Sequence, residues 1–82
     1  MPTILRKDGY RFFFFSNDGK EAPHIHVERD DSYAKFSLGP VRLLRSTGFN
    51  SMELNRMRKI VEQQETFFKE KWHEHFRSAK RT

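Results

Sequence analysis

The side chains of this sequence that could do chemistry begin with two histidines one residue apart, His24 and His26. Histidine titrates at about pH 6.5, so it can take or give a proton at cellular pH. Lys35 adds an amine that would stabilise charge developing on a phosphoryl group, and Tyr33 adds a phenol. Metal-free RNA cleavage needs such groups, because the 2′-hydroxyl of the RNA is itself the nucleophile. These four residues are therefore a candidate catalytic group.

The same two histidines could instead be ligands of a transition metal. A third ligand would have to come from Glu28, His73 or His75. The chain has no cysteine, which excludes a thiolate site. Because a His-x-His pair without a third fixed ligand is not specific for a metal, we predict no metal and no other cofactor.

Positive charge is concentrated between Lys35 and Lys59, where six basic residues accompany one acidic residue, Glu53. The formal net charge of the chain is +5, and this segment accounts for all of it. A localised positive surface favours nucleic acid or an acidic protein partner, although solvated surface charge also explains it. The residues predicted to bind nucleic acid are Arg42, Arg45, Arg56, Arg58 and Lys59.

A β-hairpin would place the candidate catalytic residues on one surface. Residues 24–28 and 33–38 both alternate polar and apolar side chains, and Asp30-Asp31 between them indicates a two-residue turn. Successive side chains of a strand point to opposite faces, so pairing apolar with apolar fixes the register. The polar pairs are then His24 with Ser37, His26 with Lys35 and Glu28 with Tyr33. We expect both imidazoles on the face away from the helix, beside two of the four phenylalanines 12–15. This face is either exposed, or covered by the N-terminal segment or by a dimer partner.

The strand and helix patterns of the sequence predict one α+β domain over residues 1–82, which would position these residues. An antiparallel meander of four to five strands is expected over residues 3–47, where the Asp8-Gly9 pair is typical of a hairpin turn. One long C-terminal helix is expected over residues 50–77, packed on one face of the sheet. The sheet and helix would share a core rich in phenylalanine.

The start of the helix is the best-specified boundary. Asn50 fits the N-cap, and Glu53 three residues later completes a capping box. Apolar residues then recur at a spacing of three to four. On a regular helix His75 lies near the middle of this apolar face, whereas His73 points away from it.

Two further features bear on location and assembly. No stretch approaches the roughly 20 apolar residues of a membrane-spanning helix, and Met1 to Leu5 is too short for the apolar part of a secretion signal. We therefore expect a cytoplasmic protein without membrane contact. The long helix would overhang so small a sheet, which makes a homodimer a further option.

Several stretches of the chain occur in a familiar combination: Met1-Pro2-Thr3-Ile4-Leu5-Arg6, Asp8-Gly9-Tyr10-Arg11-Phe12-Phe13-Phe14, Pro23-His24-Ile25-His26-Val27, Ala34-Lys35-Phe36, Gly48-Phe49-Asn50 and Lys71-Trp72-His73-Glu74. Together they resemble the bacterial family catalogued as domain of unknown function 4160. The resemblance implies a toxin-like component of a two-gene toxin–antitoxin module, with an antitoxin-like partner and no established reaction. It points to His24, His26, Lys35 and His73, while the position of His75 is more often aromatic in the family.

Three functions stay open on the sequence alone, and it does not decide whether the protein is an enzyme. The first is a toxin-like protein acting on RNA as a metal-independent nuclease. The second is a non-catalytic basic module that binds nucleic acid or a partner protein. The third is a metal-binding regulatory domain. The sequence has no recognisable nucleotide-binding loop, which disfavours kinase or nucleotidyltransferase chemistry.

Overall fold

The computed structural model describes residues 3–15 and 20–80, with five antiparallel strands followed by two helices. The strands lie in the sheet in chain order, which confirms the predicted α+β class and meander. Neither helix in this described part combines the length and apolarity that crossing a bilayer demands. The elements are β1 (Thr3–Lys7), β2 (Tyr10–Phe13), β3 (His24–Arg29), β4 (Ser32–Ser37), β5 (Arg42–Thr47), α1 (Ser51–Gln63) and α2 (Glu65–Lys80).

Two tight turns set the register of the sheet. Asp8 and Gly9 both have positive φ, 54° and 84°, the combination that a type I′ hairpin turn requires. The β3–β4 turn is the predicted two-residue turn, with Asp30 at φ 54°. Every predicted pair of this hairpin is confirmed: His24 with Ser37, Ile25 with Phe36, His26 with Lys35, Val27 with Ala34 and Glu28 with Tyr33.

The core lies between the inner face of the sheet and the two helices. The four consecutive phenylalanines divide as strand alternation requires. Phe12 stacks on Phe68 of α2 at 5.5 Å between ring centroids, and Phe14 meets Trp72 edge-on at 5.2 Å. Phe13 and Phe15 point to the opposite face. The prediction that two of the four belong to the helix-covered core is confirmed.

The strand β5 forms one edge of the sheet, and its pairing with β4 is irregular. Lys35 pairs with Arg45, but the next residue, Phe36, pairs with Leu43. Leu44 is therefore the extra residue of a β-bulge. The bulge keeps Arg45 on the face of Lys35 and Leu43 on the face of Phe36.

The prediction of one long helix over residues 50–77 is wrong, because α1 and α2 are separated at Gln64. The backbone there has φ −105° and ψ 15°, outside the α-helical range. Residues 62–66 are all polar, so no side chain in this turn is drawn into the core. Val61 and Phe68, on either side of the break, are both buried. These two residues are separated by about two helical turns, as in one continuous helix. The apolar spacing of the sequence therefore shows no sign of the break.

The start of α1 is confirmed as predicted. Asn50 is the N-cap, and its side-chain oxygen accepts a hydrogen bond from the Glu53 amide at 2.8 Å. The Glu53 carboxylate accepts in return from the Asn50 amide at 3.2 Å. Two of the amides that the helix start leaves without intrahelical partners are therefore satisfied.

Replacing the N-cap tests this boundary. Asn50→Ala should lower the free energy of unfolding by about 0.5–2 kcal/mol, because the Glu53 amide loses its acceptor. Urea denaturation followed by circular dichroism measures the change. Gln63→Ala, at an exposed position near the other end of α1, is the control and should stay within about 0.5 kcal/mol. An equal loss in both variants would contradict the capping role.

Candidate functional site

Strand pairing assembles a row of functional side chains across four strands. Phe13 of β2 pairs with His26 of β3, His26 pairs with Lys35 of β4, and Lys35 pairs with Arg45 of β5. Paired residues of neighbouring strands point to the same face. We call this side of the sheet the outer face, as opposed to the inner face that packs on the helices.

Two neighbouring rows extend the outer face. One carries His24, Ser37 and Arg42 on successive strands. The other carries Glu28, Tyr33 and Thr47, and the carboxylate of Glu28 is ion-paired with Arg11 on β2. The outer face thus brings together His24, His26, Tyr33 and Lys35 with two of the five residues predicted to bind nucleic acid, Arg42 and Arg45.

The two histidines are buried, so the alternative in which this face exposes them is wrong. His24 is 2% exposed and His26 is 4% exposed. The ring of His26 lies 5.4 Å from Phe13, 4.5 Å from Phe15 and 5.7 Å from Tyr33. Strand alternation predicted the face and the two phenylalanines beside the histidines, but not that these rings and Tyr33 would bury His26.

The surroundings of His24 connect the outer face to α2. Trp72 lies 4.9 Å from the His24 ring, and His26 is at the same distance on another side. His24 Nδ1 lies 2.9 Å from the carbonyl oxygen of Ala22. Because a carbonyl only accepts hydrogen bonds, Nδ1 carries the proton, and in the neutral ring the lone pair is on Nε2. His24 therefore has a fixed tautomer in a largely aromatic setting.

His26, Tyr33 and Lys35 form the polar centre of the outer face. The Nδ1 atom of His26 lies 2.7 Å from the Tyr33 hydroxyl, and either group can donate the proton of this hydrogen bond. Tyr33 is half-buried, so its side chain is nearer to solvent than the imidazole behind it. Lys35 Nζ lies 3.0 Å from the Glu21 carboxylate, which balances its charge. A ligand would reach Tyr33 and Lys35 before His26.

The two histidines of α2 occupy different environments, as the helical positions predicted. His73 is exposed. His75 is half-buried, 6.3 Å from Phe14 and 4.7 Å from Phe76 between ring centroids. No ring contact or hydrogen bond within residues 3–15 and 20–80 joins His73 to the outer-face group. The structure therefore does not bring the predicted His73 together with His24, His26 and Lys35.

The predicted basic residues divide between two surfaces. Arg45 lies on the outer face beside Lys35, whereas Arg56 and Lys59 are exposed on α1 at the opposite side of the sheet. Arg58 borders a groove between α1 and β5, together with Arg42. None of these five cations has a carboxylate within 4.0 Å in the described part of the chain. Their charge remains available to a polyanion or an acidic partner.

A metal centre does not assemble in the described residues, where no three histidine, aspartate, glutamate or cysteine side chains are grouped to hold an ion. Glu28, one of the third ligands considered from the sequence, is instead ion-paired with Arg11. His73 and His75 lie on α2 in the positions given above. The described contacts of His24 and His26 are the ring contacts and hydrogen bonds given above.

Sequence reasoning missed the contacts made by the segment between β2 and β3. Glu21 pairs with Lys35, and Ala22 orients His24 through its carbonyl group. Such a connection has no periodic pattern, so its sequence does not predict which strand residues Glu21 and Ala22 contact. The Arg11–Glu28 pair was predictable in principle, because both residues follow from extending the β3 register to β2.

Comparison with known families matches residues 9–73 to a family described as Domain of unknown function (DUF4160). The match includes the outer face, β5, α1 and the chain as far as His73. None of the curated proteins and none of the solved structures compared with the chain matches it.

Burial of His26 has a consequence for stability. We expect His26→Ala to lower the free energy of unfolding by about 2 kcal/mol, because removing a ring packed among three aromatic side chains leaves a cavity. His73→Ala should change it by less than about 0.5 kcal/mol. Chemical denaturation of both variants provides the comparison. Equal stability of His26→Ala and the unmodified chain would show that the imidazole does not support the fold.

Proposed function

This chain belongs to the DUF4160 family, and we propose that it is an RNA-directed, toxin-like protein that binds RNA on the outer face of its sheet. The observation that supports this most is the row of His26, Lys35 and Arg45 on consecutive strands. Arg42 flanks that row at the same edge. Among the described residues, the acidic groups at this face are paired, Glu28 with Arg11 and Glu21 with Lys35. The face therefore offers net positive charge to a phosphodiester backbone.

The arginines would supply the first contact with RNA. Arg42 and Arg45 are exposed, and neither has an acidic partner among the described residues. A guanidinium group without a carboxylate can form a bidentate hydrogen-bonded pair with a phosphate without first breaking an ion pair. Binding through phosphates releases counterions, which makes the affinity depend strongly on salt.

Aromatic side chains beside the arginines favour single-stranded RNA as the ligand. Phe15 and Tyr33 are half-buried next to His26 on the same face. Bases of a single strand stack on aromatic side chains, while a basic groove follows the backbone. The combination of aromatic and basic groups on an antiparallel sheet suits such a ligand better than a duplex, whose bases are not available for stacking.

A second candidate function is cleavage of the bound RNA, and the His26–Tyr33 hydrogen bond supports it. In this reaction the 2′-hydroxyl loses its proton to a base and attacks the phosphorus. The bond to the 5′-oxygen then breaks, and that oxygen receives a proton from an acid. Tyr33 would take the proton of the 2′-hydroxyl and pass its own proton to Nδ1 of His26, and a solvent water would protonate the departing 5′-oxygen. Lys35 would stabilise the negative charge on the phosphorane.

We propose that these functions operate in a two-gene toxin–antitoxin module with a cytoplasmic target, the setting that the family resemblance implies. In that setting RNA binding or cleavage would inhibit growth, and an antitoxin-like protein would counteract it. The compact arrangement of Tyr33, Lys35 and Arg45 supports one shared surface for binding and chemistry. His24 would act through its neighbours, since Trp72 and His26 cover it.

Salt dependence separates the outer face from other basic surfaces. For binding to a labelled single-stranded RNA, Arg45→Ala should reduce the slope of log affinity against log salt by about 0.7, the value for one phosphate contact. Arg56→Ala removes the same charge on the helix side and is the matched control, with an unchanged slope. Fluorescence anisotropy at several salt concentrations measures both. If the slope of log affinity against log salt falls equally in the two variants, the outer face is not the specific RNA surface.

Removal of one hydroxyl group tests the catalytic candidate. We expect Tyr33→Phe to slow RNA cleavage by about 10²–10⁴-fold, as is common for loss of an acid–base group, while RNA binding is retained. Cleavage in the presence of a chelator, with detection of 2′,3′-cyclic phosphate ends, identifies the metal-independent reaction. His73→Ala is the control and should cleave at the normal rate. Full cleavage by Tyr33→Phe would leave a binding function without this chemistry.

A further inference from the structure

A groove between β5 and α1 lies apart from the polar centre of the outer face. Its volume is about 360 Å³, which is enough for one or two large side chains but small for a nucleotide chain. Aliphatic side chains and one phenylalanine form its walls, and polar groups stand at its rim. The lining residues are Phe36, Val41, Arg42, Leu43, Leu54, Asn55 and Arg58.

The strand that borders this groove exposes two leucines at an edge of the sheet. All six residues of Arg42–Thr47 are exposed, including Leu43 at 42% and Leu44 at 54%. An edge strand offers unpaired backbone groups, which proteins normally protect with charges or bulges. The bulge at Leu44 and the flanking arginines are such protection, but neither covers the leucines. This edge therefore has the features of a binding surface.

The charges at the rim indicate the occupant. Arg58 donates a hydrogen bond to the side-chain oxygen of Asn55 at 3.0 Å, which holds the guanidinium at the groove. Arg42 stands on the other side, its amide bonded to the Ser37 hydroxyl at 3.0 Å. Neither arginine has a carboxylate partner in the part of the chain that the structure describes. An occupant with carboxylates would complement both.

Two other occupants fit less well. A second copy of this chain would bring the β5 strands together with Arg42 and Arg45 of both copies, so like charges would meet. RNA would find no exposed aromatic face on which a base could stack, because the lining Phe36 is fully buried and the other apolar lining residues are aliphatic. A protein segment that combines carboxylates with an aliphatic or aromatic side chain matches both the walls and the rim.

We propose that an acidic segment of a partner protein docks in this groove. One leucine- or phenylalanine-sized side chain packs against Leu43 and Leu54, and flanking carboxylates pair with Arg42 and Arg58. The site lies on the helix side of β5, so it does not depend on RNA binding or cleavage at the outer face. Only Arg42 belongs to both surfaces.

Labelled peptides of identical length test the proposal with the full chain. The first peptide has a central leucine flanked by glutamates, the second has serine in place of that leucine, and the third keeps the leucine but has glutamines in place of the glutamates. Fluorescence anisotropy should detect binding of the first peptide at least about 10-fold tighter than either of the others. Equal affinity for the serine peptide, or no binding of the first peptide, would overturn the proposal.

Variants of the protein locate the binding surface. Arg58→Glu and Leu43→Ser should each weaken the first peptide at least about 10-fold. Two variants of α1 are the controls: Arg56→Glu makes the same charge change on the same helix, and Met52→Ser removes an exposed apolar side chain. Both should bind the first peptide with an affinity within about 2-fold of the unmodified chain. Circular dichroism verifies that each variant is folded.

Two outcomes would assign the groove to something else. Equal losses in Arg56→Glu and Arg58→Glu would mean that the peptide responds only to total charge. Self-association of the unmodified chain that Leu43→Ser abolishes, measured by sedimentation, would make a second copy the occupant. Leu43→Ser changes no charge and should leave RNA binding at the outer face unchanged, so failure of the groove proposal and failure of the RNA proposal give different results.

Discussion

The register between β3 and β4 is the constraint on which the rest of the structure depends. A strand alternates its side chains between two faces, so a shift by one residue would exchange the core with the surface. The two-residue turn at Asp30-Asp31 places Ile25 opposite Phe36 on the inner face. The same turn places His26 opposite Lys35 on the outer face. One strand register therefore forms both the hydrophobic core on the inner face and the polar centre of the outer face.

Burial of the histidines joins stability to any function of the outer face. His26 is enclosed by three aromatic rings and also hydrogen-bonded to Tyr33. Substituting an imidazole in this setting removes packing together with a proton-transfer group, so loss of activity would have two explanations. The Tyr33 hydroxyl can be removed while its ring is kept. It is therefore the more informative position at which to separate chemistry from folding.

The sequence predicted those features that local rules determine. The Asn50 capping box and the β3–β4 pairs follow from short-range spacing, and both are confirmed. The break at Gln64 was missed because Val61 and Phe68 remain in helical phase across it. The burial of His24 depends on Trp72 of α2, a contact between distant segments that strand alternation does not contain.

The bulge at Leu44 determines which side chains of β5 lie on the outer face and which lie at the groove. The spacing of residues in the sequence does not reveal this bulge. Without the extra residue, Leu43 and Arg45 would not take up their present pairing with Phe36 and Lys35. With it, β5 presents Arg45 to the outer face and Leu43 to the groove, while Arg42 borders both. An acidic segment paired with Arg42 would withdraw one cation from bound RNA. The two proposed sites would then oppose each other through a shared charge, without any change in the conformation of the sheet.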